Sequence, residues 1–165
     1  MSRDGLLKTL DGEFAGFLDA IAVMETVRAE TLDAISGIPE DKMSDVAFGS
    51  WSVKDVLCHL ASWEQFAVPD LQRISRGHIP QLATLRLEEV DEWNAGLMRS
   101  RNLFSLPQAK FELEESRHQF IDALNGQPEG VFAAGQMVRM LTDGLVNGEK
   151  GHAAEIREWR KQQEI

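Results

Sequence analysis

The chain has 165 residues, a length that allows one domain with a substantial core and is short for two. A formal net charge of −10, with no cluster of lysines and arginines, argues against nucleic acid as a partner, because binding a phosphate backbone requires a basic surface. No uncharged apolar run approaches the roughly 20 residues that span a bilayer, and the N-terminus lacks the apolar core of a signal peptide. We therefore expect a single domain over residues 1–165, located in the cytoplasm, with neither a membrane nor a nucleic-acid partner.

Hydrophobic periodicity predicts a helix over about residues 5–35, with an apolar stripe at alternating spacings of three and four. Residues 40–50 are predicted to be a polar connection. Ser52 and Asp55 then form a capping pattern for a second helix, which ends near residue 77. The apolar face of this helix is wide, so we expect it to be well buried between its neighbours.

Three further helices are predicted after a loop at residues 78–87. A short one spans about 88–99, and a capping pattern at Ser105 opens the next, which continues through residue 124. Its inward positions are expected to be Phe111, Leu113, Phe120, Ile121 and Leu124. The last helix covers about 133–162, with an inward stripe of Val138, Leu141, Leu145, Gly148, His152, Ile156 and Trp159. With no recognisable strand, the predicted fold is an all-α bundle of four main helices, with an extra short helix before the third.

Two of the four histidines lie on the inward stripes of their helices, His59 on the second and His152 on the last. Each has a tryptophan further along its helix, Trp63 and Trp159 respectively. A single inward histidine is commonly a core residue whose ring nitrogens have local partners. Two on helices that pack together also suit a metal site, because neutral imidazole is the commonest metal ligand and bundles build such sites from inward side chains. Periodicity leaves both interpretations open.

The other residues with potential chemistry are predicted to be structural. Cys58, the only cysteine, follows apolar residues on the second helix, so a packed thiol is expected rather than a nucleophile. His78 falls in a loop and His118 among polar residues, and both are expected at the surface.

Three segments carry a resemblance to a known family. The sequence WSVKDVL at 51–57, with the His, Leu, Trp and Glu at 59, 60, 63 and 64, resembles the second helix of the DinB-like superfamily. The sequence GHAAEIREWR at 151–160 is similar to the last helix of that superfamily, and DEWN at 91–94 looks like the branch that includes the ClbS/DfsB proteins. Together the motifs extend over nearly the whole chain in the expected order.

The resemblance implies a four-helix bundle, frequently dimeric, that in many members binds a divalent metal through three histidines. One ligand comes from the second helix and two, spaced by four, come from the last. Here they map to His59, His152 and the position of Gly148, which has no side chain to offer. Glu149 could supply a carboxylate in its place, or could be a solvated residue without such a role.

Two functions follow as alternatives. Known members of the superfamily include thiol transferases, isomerases and ClbS-type hydrolases, so the first is a degenerate metal-dependent hydrolase or thiol transferase acting on a small molecule, with zinc or nickel as the expected cofactor. No residue is assigned a catalytic role. In this function His59 and His152 would act as metal ligands or as bases, with Glu149 as a further ligand. The pocket would be formed by Trp63, Glu64, Gly148 and Trp159, with Glu64 orienting an imidazole. The second is a non-catalytic bundle that lost its metal and serves as a binding or dimerisation module. The expected oligomer is a homodimer.

Overall fold

The computed structural model of the chain describes residues 16–132 and 137–165. The beginnings of the predicted first and last helices therefore lie outside the described residues. The described part contains five α-helices: α1 (Phe17–Ile35), α2 (Val53–Ser75), α3 (Leu87–Arg101), α4 (Leu106–Asn125) and α5 (Met137–Gln163). The prediction of an all-α bundle with a short extra helix before the third main one is confirmed.

Side-chain caps set the starts of α2 and α4, as the sequence predicts. The Ser52 hydroxyl accepts a hydrogen bond from the backbone N–H of Asp55, whose carboxylate accepts one from the backbone N–H of Ser52 at 2.8 Å. Ser105 and Gln108 form the same reciprocal arrangement at the start of α4. These caps satisfy backbone donors that the first helical turn leaves free.

The four long helices pack in pairs, with α1 along α5 and α2 along α4, while α2 also contacts α5 and the shorter α3. The buried apolar side chains form two clusters. One includes Met24, Trp63, Leu71, Phe120 and Leu145, and the other includes Ile35, Leu57, Leu106, Leu113 and Ile156. None of the helices in the described ranges has a stretch long and apolar enough to cross a membrane.

Two local features differ from the sequence predictions. The connection at residues 40–50 contains a strand, β1 (Val46–Phe48), which pairs antiparallel with β2 (Trp51–Ser52). Strands this short show no alternation in the sequence. The prediction that Phe111 faces inward is wrong, because its side chain is 62% exposed. It lies two positions before buried Leu113, and at 100° per residue these two side chains point to nearly opposite sides of α4.

Candidate functional site

The two inward histidines meet between α2 and α5. The ring centroids of His59 and His152 are 5.1 Å apart, with the ring planes at 81°. His59 is completely buried, and the side chain of His152 is 15% exposed. The prediction that these rings face each other inside the bundle is confirmed, and we refer to them as the histidine pair.

Two tryptophans contact the histidine pair. The ring of Trp51, from β2, lies 4.8 Å from that of His59 and 6.4 Å from that of His152, and Trp63 lies 6.2 Å from His59. Trp51 was not among the pocket residues predicted from sequence, because it precedes the helix and depends on the hairpin for its position. Trp159 lies two helical turns beyond His152, where its ring packs against Phe48 at 6.0 Å.

Both imidazoles are neutral at neutral pH. Burial lowers the pKa of His59 well below its usual value, and the neighbouring His152 lowers it further. Burial also lowers the pKa of His152, although Glu155, whose Oε2 lies 2.9 Å from Nδ1 of His152, acts in the opposite direction. Neither ring nitrogen of His59 has a hydrogen-bond partner among the described residues. A buried polar group without a partner is rare enough to require an explanation, such as a bound water, ion or ligand.

A small cavity of about 10 Å³ adjoins His59 of the histidine pair. This is about the smallest volume that holds one water molecule. Its lining includes three of the four residues predicted to form the pocket, Trp63, Glu64 and Gly148, but not Trp159. The other lining residues are His59, Leu60, Leu145 and Glu149.

Beyond this cavity, four buried charged residues form what we call the ionic ring: Arg28, Glu64, Arg117 and Glu149, one from each long helix. Arg28 donates from Nε to Glu149 at 2.7 Å and from Nη2 to Glu64 at 3.0 Å. Arg117 donates from Nε to Glu64 at 2.6 Å and from Nη2 to Glu149. The ring carries two positive and two negative charges, so its net charge is zero.

Further hydrogen bonds complete the ionic ring. Arg28 also donates to the backbone carbonyl of Leu113 and Arg117 to that of Met24, while Ser116 donates to Glu64 at 2.6 Å. The sequence contains a signal for these arginines, since each lies within four residues of buried apolar positions on the inward side of its helix. Charged residues at such positions are seldom fully buried unless they are paired.

The ionic ring changes the interpretation of both glutamates. Burial raises the pKa of Glu149, but Arg117 and Arg28 lower it by more, so the net pKa is below its usual value and the carboxylate stays ionised. Glu149 is thus neither solvated nor free to act as a ligand. The carboxylate of Glu64 accepts hydrogen bonds from Arg28, Arg117 and Ser116, and these bonds, rather than an imidazole, determine its orientation.

The described residues do not fit the three-ligand metal site that the resemblance implies. The histidine pair offers two imidazoles, and Gly148 offers no side chain. The carboxylates of Glu64 and Glu149 belong to the ionic ring, and that of Glu155 pairs with Nδ1 of His152. Among the described residues, no group of three or more His, Cys, Asp and Glu side chains is arranged to hold a metal ion. Because a catalytic zinc site normally has three protein ligands, the described donors are one short.

Other predictions concern residues away from the histidine pair. Cys58 is buried, and its pKa is raised by that burial, so it is a packed protonated thiol as predicted. His78 and His118 are exposed, also as predicted. Asn94, on α3, accepts a hydrogen bond from the indole Nε1 of Trp63 at 3.0 Å and thereby holds that ring beside His59.

Comparison with known proteins shows which family matches the chain and which solved structures share its fold. The family model of the DinB superfamily matches residues 24–163. The fold is similar to an uncharacterised protein from Escherichia coli UTI89, with a TM-score of 0.73, 14% identity, and coverage of 91% of this chain and 95% of that one. It is also similar to DfsB, a sibling lethal factor precursor, with a TM-score of 0.75, 14% identity, and coverage of 92% and 98%.

A third solved structure, a protein from Streptococcus pneumoniae, has a TM-score of 0.75 and 12% identity, with coverage of 94% of this chain and 97% of that one. At these identities the similarity establishes the fold alone. A search of curated proteins found no match.

Proposed function

This chain belongs to the DinB superfamily, and from that premise we propose that it is a small-molecule hydrolase or thiol transferase that works through its histidine pair without a resident metal. The observation that carries the proposal is the buried imidazole of His59, whose two nitrogens have no partner among the described residues, in contact with a second neutral imidazole. A neutral imidazole accepts a proton, and histidine is the most frequent general base in enzymes.

His152 is the better placed of the two to take a proton. Its side chain is partly exposed, and its Nδ1 faces the carboxylate of Glu155. With the Nδ1 proton donated to Glu155, Nε2 is left as an acceptor, a tautomer that we assign from this contact. Glu155 belongs to the HAAEI segment of the family motif, three residues after His152, and one helical turn brings the two side chains together.

The reaction that suits this arrangement is transfer of an acyl group to water or to a thiol. Nε2 of His152 takes the proton of the water or thiol while the oxygen or sulfur forms a bond to the acyl carbon. The imidazolium, stabilised by Glu155, then returns the proton to the leaving group as its bond to the acyl carbon breaks. His59 supplies a second, deeper imidazole that can hydrogen-bond the bound molecule.

The alternative function is a non-catalytic bundle that binds a ligand or a second copy of the chain. It is supported by Gly148, which leaves the family's third ligand position without a donor, and by the small volume beside the histidine pair. The homodimeric state and the cytoplasmic location expected from the sequence stay predictions under both functions.

Hydrolysis of p-nitrophenyl acetate tests the proposal, because this activated ester responds to a general base or a nucleophilic imidazole. We expect His152→Gln and His59→Leu each to lower turnover by roughly a hundredfold, the lower end of the usual range for a general base. His78→Gln and His118→Gln, at exposed positions, are the matched controls and should change it less than about twofold.

Two results would count against the proposal. Wild-type turnover no higher than that of the His59→Leu/His152→Gln double variant would favour the non-catalytic alternative. Turnover abolished by a chelator and restored by zinc or nickel would show that a metal is required after all.

A further inference from the structure

We infer that Trp51 determines which molecules reach the histidine pair, and that it favours ligands with a planar, uncharged group. The inference rests on the proposed function for the location of the ligand, but its test does not require turnover.

The room for a ligand beside the histidine pair must come from movement of a wall. The cavity of about 10 Å³ holds at most about one water molecule. Trp63 is only 2% exposed, and its indole N–H is bonded to Asn94, so this wall is held in place. The long helices are joined by the ionic ring. Trp51 does not line this cavity but contacts both imidazoles. It differs from the walls of the cavity because it is half-buried and lies on a strand of two residues.

The backbone on both sides of Trp51 is held, while its ring packs against the second apolar cluster and is partly exposed. Ser52, the next residue, is the N-cap of α2, with its backbone N–H bonded to Asp55 at 2.8 Å. On the other side the hairpin turns at Gly49, whose φ of +62° lies in the left-handed region that favours glycine. The backbone from which the indole of Trp51 extends is therefore fixed, and one face of the indole is partly exposed.

The position of the Trp51 ring indicates the shape of the ligand. Its plane is within 26° of that of His152, at a centroid distance of 6.4 Å. Aromatic pairs have centroids about 4.5–7 Å apart, so these near-parallel rings lie at the wide end of the range. A flat group enters between them after a small displacement of Trp51, whereas a group with tetrahedral carbons needs a larger one.

The charges around the pair indicate that the group is uncharged. The two positive and two negative charges of the ionic ring compensate one another, and the carboxylate of Glu155 beside His152 is more than half exposed to solvent. A charged group placed against His59 would be buried without a counter-charge, which is costly. The ligand class is thus a neutral aryl or heteroaryl compound.

Binding of two neutral alcohols tests this inference, with p-nitrobenzyl alcohol as the planar probe and cyclohexylmethanol as its non-planar counterpart. NMR titration of the tryptophan indole N–H signals gives each Kd. We expect the planar probe to shift the Trp51 signal and to bind at least about fivefold more tightly than the non-planar one. Trp51→Leu should raise the Kd of the planar probe by roughly five- to tenfold and leave the Kd of the non-planar one unchanged. Trp51→Phe should retain most of the preference for the planar probe.

Trp93→Phe is the matched control. Trp93 lies on α3, where its ring packs against that of Phe66 at 4.2 Å. This substitution should therefore not alter the Kd of either alcohol. The inference is overturned if wild type binds the two alcohols equally or binds neither, or if Trp51→Leu leaves both Kd values as they were. Selective binding through Trp51, together with ester hydrolysis that does not depend on the histidines, would refute the proposed function and leave this inference standing.

Discussion

Replacement of Arg28 by methionine tests whether the four charges of the ionic ring stabilise the fold together, so that removing one of them lowers the free energy of unfolding. Methionine keeps an unbranched apolar side chain and removes the guanidinium. The wild-type side chain donates to Glu149, to Glu64 and to the carbonyl of Leu113, so the variant leaves three buried acceptors with fewer donors. It also leaves two carboxylates sharing one arginine.

We expect Arg28→Met to lower the free energy of unfolding by about 3–5 kcal/mol, the usual cost of removing one partner from a buried ion pair. For a chain of this size, each kcal/mol corresponds to roughly 2–4 °C in Tm, so Tm should fall by roughly 6–20 °C. The surface control is Arg157→Met, which loses a hydrogen bond from a half-exposed arginine to the carbonyl of Glu30 and should cost about 1 kcal/mol.

The double variant Arg28→Met/Glu149→Leu distinguishes the ring from simple loss of packing. Because it removes one positive and one negative charge, the remaining Glu64 and Arg117 stay paired at 2.6 Å. Its destabilisation should therefore be smaller than the sum of the two single effects by at least about 1 kcal/mol.

Urea denaturation at pH 7, followed by far-UV circular dichroism, measures the single variants Arg28→Met and Glu149→Leu, their double variant and the control Arg157→Met. A cost below about 1 kcal/mol for Arg28→Met would refute the reasoning, as would single effects that simply add.

Three further outcomes are expected. Gly148→His restores a donor one turn before His152, so added zinc should raise the Tm of this variant and leave that of wild type unchanged; an equal response would refute the vacant-ligand interpretation. Because the pKa of His59 is lowered in the folded state, this imidazole is protonated at a higher pH in the unfolded chain than in the folded one. The free energy of unfolding of wild type should therefore decrease as the pH falls below about 6.5. In His59→Leu this decrease, measured from urea midpoints, should be smaller. Asn94→Leu removes the acceptor of the Trp63 indole and should cost about 1–3 kcal/mol while altering the fluorescence of the protein; unchanged stability and emission would show that this bond does not hold Trp63.

Much of the fold could be predicted because it depends on local signals. The reciprocal caps at Ser52 and Ser105 are contacts between residues three apart, so the sequence contains both partners. The inward stripes of the helices follow from the period of 3.6 residues, which also brought His59 and His152 to the interior. The hairpin before α2 was missed because its strands are too short to show a period, and with it the role of Trp51.

What the sequence by itself determined was the all-α class, the order of the helices and the inward position of the histidine pair, since each depends on spacing within one helix. Only the tertiary structure decided the state of the two glutamates. Glu64 and Glu149 are 85 positions apart, and their partners Arg28 and Arg117 come from two other helices. Whether a buried carboxylate orients an imidazole, binds a metal or pairs with an arginine depends on which side chain comes within about 3 Å of it. Packing between helices sets that distance, and no local pattern encodes it.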